Sequence, residues 1–133
     1  MATKARKRKA KLTGTAWADI TAYNLQIGGF KWRTAKGDPV VEINLTGLVI
    51  GAGKLVSIGA IQFYHDSTPV PFDQAGWSGD PPDAMSAYMR LPLAMFDTVI
   101  QLLDRHRGVR ISANVPAGGP TQITLTQLVY TPV

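Results

Sequence analysis

Between Val40 and Val49 the chain alternates with period two. Val41, Ile43, Leu45 and Val49 take one parity, and Glu42, Asn44 and Thr46 take the other. Successive side chains on a strand point to opposite faces, so this pattern predicts a strand with one wet face and one face on a core. The same alternation returns at Val109 to Val115, where Arg110, Ser112 and Asn114 face outward. It returns again at Thr121 to Tyr130, where Ile123 and Leu125 oppose Thr124 and Thr126. Short glycine-bearing links stand between the repeats. Gly51-Ala52-Gly53-Lys54 suits a hairpin from the first strand into a second over Leu55 to His65, and Ala117-Gly118-Gly119-Pro120 suits a C-terminal hairpin. Leu55 to His65 is apolar on both parities, which predicts a central strand.

Three further strands are expected. Thr15 to Ile27 carries Trp17, Ile20, Tyr23, Leu25 and Ile27. Phe30 to Thr34 continues after a turn or bulge at Gly28-Gly29, and Lys36-Gly37-Asp38-Pro39 ends it. Met85 to Leu91 precedes the one segment with a different period. From Pro92 to Arg107, Phe96, Val99, Ile100 and Leu103 fall at i, i+3, i+4 and i+7, one stripe of a helix. Pro92 fits a first helical turn and Gly108 the position past the end. Asp97 and the Arg105-His106-Arg107 cluster match the two ends of the helix dipole. Residues 66–84 hold four prolines, two glycines and four aspartates with no period, and predict a long loop whose Phe72 and Trp77 can pack their rings on the body.

The expected fold is therefore mainly β with one α-helix: an antiparallel sandwich or partly open barrel of about six to seven strands, with an amphipathic helix near residues 92–107. The chain of 133 residues fits one domain over 13–133, preceded by an N-terminal arm at 1–12. It has no cysteine, so neither a disulfide framework nor thiolate chemistry is available. No apolar run is long enough to span a membrane, and no apolar stretch follows the N-terminal charges as a secretory signal requires.

Charge points more directly at function. Residues 4–11 read KARKRKAK and carry Lys4, Arg6, Lys7, Arg8, Lys9 and Lys11. Those six belong to fourteen basic residues, so eight remain in 12–133 against nine acids, a net −1 on the body of a chain whose formal charge is +5. So dense a block of like charge predicts a disordered arm suited to phosphates or another polyanion, read by charge and not by sequence. Phe30-Lys31-Trp32-Arg33 interleaves aromatic and basic residues. On a strand the two rings share one face and the two cations the other, which puts the rings in the core. Lys31, Trp32, Arg33 and Lys36, with Lys54, are candidates for a cationic groove with base stacking. Tyr23, Tyr64 and Tyr88 are further stacking candidates.

Other constellations carry less. His65-Asp66 pairs imidazole and carboxylate in sequence, but neighbours on a strand face apart, and no G-x-S-x-G turn or H-E-x-x-H helix is present. The aspartates Asp66, Asp73, Asp80 and Asp83 match no calcium loop. Gly51-Ala52-Gly53-Lys54 lacks the spacing of a phosphate loop. No catalytic residue, metal or cofactor is expected. The first functional expectation is a non-enzymatic, nucleic-acid-associated module in the cytoplasm or a nucleoprotein particle. Its alternatives are a virion or particle subunit that forms homo-oligomers around nucleic acid, and a small hydrolase using His65 and the loop aspartates.

Overall fold

The computed structural model describes residues 13–27, 39–50, 54–79, 82–104 and 108–128. They form seven strands and one short helical element: β1 (Gly14–Ile27), β2 (Val41–Val49), β3 (Leu55–Tyr64), β4 (Gln74–Ser78), β5 (Ala84–Pro92), α1 (Phe96–Asp104, led by a 3-10 turn at Leu93–Met95), β6 (Val109–Val115) and β7 (Gln122–Gln127). All seven strands join one sheet in the order β4-β5-β3-β2-β1-β6-β7. Its two outer strands meet at one bridge, Asp73 to Thr121. The fold is mainly β, as the alternation predicts.

One face of the sheet is the core. Ile43, Leu45 and Val49 of β2, Ile58, Ile61 and Phe63 of β3, Ala87 of β5 and Ile111 of β6 are buried there. The helical stripe closes over it. Val99 is buried, Phe96, Ile100 and Leu103 pack against the core, and Phe96 meets Phe63 edge to face with centroids 5.2 Å apart.

Four expectations change. The sheet is mixed, because β3 and β5 run parallel, from Gly59 beside Ala87 to Tyr64 beside Pro92. A parallel neighbour needs a crossover of a dozen or more residues, and residues 65–83 supply it. Second, that stretch is not only a loop. Its Gln74–Ser78 forms β4, paired antiparallel to β5. Trp77 turns inward there, with its ring 3.9 Å from where a Cβ on Gly14 would stand, whereas Phe72 does not pack its ring and is 77% exposed.

Third, Pro92 is not inside the helix. It ends β5 and precedes the 3-10 turn in an extended conformation, φ −66° and ψ 149°. The missing proline N–H costs nothing at that boundary. Fourth, the two-faced apolarity of β3 is in part a bulge. Leu45 pairs with Gly59 but Thr46 pairs with Ser57, so Ile58 is extra and the parity of β3 flips there. Ile58 and Ile61 thereby face the same core from opposite parities. β1 has a matching bulge between Ile20 and Ala22, opposite Gly47, and the Thr21 hydroxyl donates to the Thr46 carbonyl across it. A Cβ on Gly47 would lie 2.1 Å from the Asp19 carbonyl oxygen, and one on Gly59, at φ +127°, 1.8 Å from that of Ala87. Glycine is required at both places.

The expected arm 1–12, the expected strand Phe30–Thr34, the turn 51–53, Arg105-His106-Arg107 and the residues from 129 onward lie outside the described residues. No described helix is long and apolar enough to cross a membrane.

Candidate functional site

Ten residues of the sequence-predicted nucleic-acid site lie outside the described residues: Lys4, Arg6, Lys7, Arg8, Lys9 and Lys11 in the arm, and Lys31, Trp32, Arg33 and Lys36 between β1 and β2. Their attachment points are among the described residues and stand apart. The arm joins at Thr13, the start of β1, and the second group departs after Ile27, its end. Fourteen strand residues separate the two, about 45 Å of chain at full extension. Lys54 stands apart from where the second group rejoins the sheet, too. It follows the β2–β3 turn, whereas Pro39 precedes the opposite end of β2, about 27 Å away along the nine-residue strand.

The described framework is itself acidic. It holds Lys54, Arg90 and Arg110 against Asp19, Glu42, Asp66, Asp73, Asp83, Asp97 and Asp104, a net −4. The other eleven basic residues belong to segments that lead into or connect its elements. Eleven of the fourteen cations thus belong, in sequence, to the arm and the connections.

The framework acids have structural partners. Asp66 Oδ1 accepts the Ala94 N–H at 3.0 Å and so caps the turn that opens the helix. Asp73 accepts the Arg90 N–H at 2.9 Å and the Ile123 N–H at 3.2 Å, tying β5 to β7 next to the bridge between the sheet edges. Asp83 Oδ1 accepts the Ser78 hydroxyl at 3.3 Å across the β4–β5 turn. Asp19 pairs with Arg110 Nε at 2.8 Å on neighbouring strands, the one ion pair among the described residues. Among those residues no group of three or more histidine, aspartate or glutamate side chains gathers to hold a metal.

His65 is exposed at the end of β3. Its Nδ1 lies 2.7 Å from the Ser67 hydroxyl and accepts the Ser67 N–H at 3.3 Å, a local turn contact. Among the described residues no carboxylate hydrogen-bonds it, since Asp66 is committed to Ala94. Of the tyrosines, Tyr64 is buried and Tyr88 lies exposed on the outer face. Tyr23 donates its hydroxyl to Asp104 at the helix end, and that hydrogen bond, with some desolvation, holds its phenol above the ordinary value. A cavity of about 240 Å³ opens beside it, lined by Ile20, Thr21, Ala22, Tyr23, Leu103 and Val109.

Two features of the outer face escape the sequence reading. The first is a polar row across four strands. Gln62 donates to Glu42 at 3.1 Å, and Arg90 donates through Nε to Gln62 at 3.1 Å and through Nη2 to Gln74 at 3.2 Å. Arg90 Nη1 also donates to the Phe72 carbonyl at 2.6 Å. The second is apolar: Trp17 at 45% exposure, Leu48 at 37%, Ile50 at 42% and Leu55 at 60%. Leu48 pairs with Leu55 across β2 and β3, and the Ile50 N–H donates to the Trp17 carbonyl at 3.0 Å, so the four residues adjoin one another. Parity offered a signal for Trp17. It shares the outward register of Thr15 and Asp19, and the small Ala16 and Ala18 take the core.

No family model, curated protein or solved structure matches this chain.

Proposed function

We propose that the protein is a non-enzymatic, nucleic-acid-associated module that contacts phosphates through residues 4–11 without reading sequence. One observation carries the reading: six cations without an acid occupy eleven N-terminal residues, while residues 12–133 carry a net charge of only −1. A near-neutral body offers phosphate no concentrated positive charge, so the arm, joined at Thr13, is the part of the chain suited to hold it, with Lys31, Arg33 and Lys36 as a second cationic group. Its place is the cytoplasm or a nucleoprotein particle.

A second reading, a particle subunit that surrounds nucleic acid, draws on the exposed Trp17, Leu48, Ile50 and Leu55, because contiguous apolar surface on a soluble domain marks an interaction site. The hydrolase alternative gains no support, with Asp66 and Asp73 committed to backbone N–H groups.

Light scattering across a size-exclusion peak, with absorbance read at nucleic-acid and protein wavelengths, tests the proposal. Co-purified nucleic acid that is lost on deleting residues 1–11 is expected. A small nucleoprotein favours the module and a large one the particle subunit. A nucleic-acid-free peak that also fails to bind added single-stranded oligonucleotide contradicts both.

A further inference from the structure

We infer that the outer-face patch of Trp17, Leu48, Ile50 and Leu55 is the surface on which a second copy of this chain docks. Three of the side chains come from three adjacent strands and Ile50 follows the end of β2, and together they expose on the order of 400 Å². A stable interface takes about 800 Å² from each partner, of which somewhat over half is apolar. The patch is therefore about the size of the apolar centre of one such face.

Charge favours a copy as the occupant. Next to the patch, Asp19 and Arg110 lie side by side with opposite sign. A two-fold axis that runs between them sets each carboxylate toward the guanidinium of the other copy, the self-complementary arrangement that an isologous dimer needs. The body, residues 12–133, has a net charge of only −1, so two bodies do not repel.

Nucleic acid fits less well. It needs a row of stacking rings over cations, and the patch offers one ring beside an Asp19–Arg110 pair that carries no net charge. The docking stands independently of the proposed function. If that function also holds, pairing at Trp17, four residues beyond Thr13, sets two basic arms side by side on one polyanion.

Sedimentation of the nuclease-treated full chain over a concentration series tests the inference, in about 0.5 M salt so that the arms do not hold copies apart. A dimer is expected. The double variant Trp17→Thr with Leu55→Thr should raise its dissociation constant by at least about 100-fold. Phe72→Ser, more exposed but elsewhere, should leave it unchanged. Threonine keeps strand propensity, and circular dichroism checks the fold; should the double variant unfold, Leu48→Lys reads the same face alone. A monomer at every concentration overturns the inference. So does a folded double variant that associates like the parent. A monomer whose oligonucleotide affinity falls with Trp17→Thr also overturns it, and assigns the face to nucleic acid.

Discussion

The outer face of the sheet has two halves, and they differ in how their side chains are satisfied. On one side of the bulges in β1 and β3, Glu42, Gln62, Arg90 and Gln74 hydrogen-bond one another across four strands. On the other side, Trp17, Leu48, Ile50 and Leu55 leave apolar surface in water. Both halves are exposed, yet only the first is complete within the chain. Exposure alone does not mark a binding surface. An exposed surface whose needs are met internally is stable as it stands, and one that keeps apolar area wet gains free energy from a partner.

Substitutions can break this comparison at several levels. The largest effect is expected at the boundary. Gly59→Ala places a methyl 1.8 Å from the Ala87 carbonyl oxygen at a φ of +127°, so the bulge that separates the halves cannot form as it is. A loss of about 4 kcal/mol or more is expected in denaturant unfolding, or no folded protein at all.

Next is Asp73→Ala. Its carboxylate serves the N–H groups of Arg90 and Ile123 on β5 and β7, and its loss should cost about 2–3 kcal/mol. Amide exchange at those two residues should accelerate ahead of exchange in β2. Within the polar half, Arg90→Met removes hydrogen bonds to Gln62, Gln74 and the Phe72 carbonyl, and about 1–2 kcal/mol is expected from the same measurement. In the apolar half, Trp17→Thr should cost no more than about 1 kcal/mol of monomer stability, because nearly half of that residue is already in water. A large cost there would mean that the two halves are alike after all.

The smallest effect lies outside both halves. Tyr23 should ionise above an ordinary tyrosine, and Asp104→Asn should lower its titration toward the usual range, read by ultraviolet absorbance. Because the folded value is the higher one, the hydrogen bond contributes fully at pH below the unfolded phenol's range, and the contribution is lost as pH rises through the folded value.

Much of the architecture was legible wherever one strand has one wet face. β2, the C-terminal hairpin and the helical stripe through Phe96, Val99, Ile100 and Leu103 all follow from periodicity. What escaped depends on neighbours that a sequence does not name. The bulges flip parity at Thr21 and Ile58 because of how β1 and β3 lie against β2. The five-residue β4 has no alternation of its own beyond Ala75 and Trp77, and it is a strand because β5 runs beside it. Aspartates that read as turn or metal residues proved to hold backbone N–H groups, a role decided by distant chain segments. The basic arm was the clearest functional signal in the sequence, and it lies outside the described residues. The apolar patch was visible only as a tryptophan on the wet parity of its strand.

The most direct test of the arm as the polyanion contact is the salt dependence of binding to a single-stranded oligonucleotide, for the full chain and for a chain lacking residues 1–11. Six phosphate contacts at roughly 0.7 each give a log–log slope of about −4 for the full chain. The truncated chain should keep its fold and lose most of the affinity and most of that slope. Equal affinity and equal slope for the two folded chains would contradict the assignment and place the phosphate contacts elsewhere on the molecule.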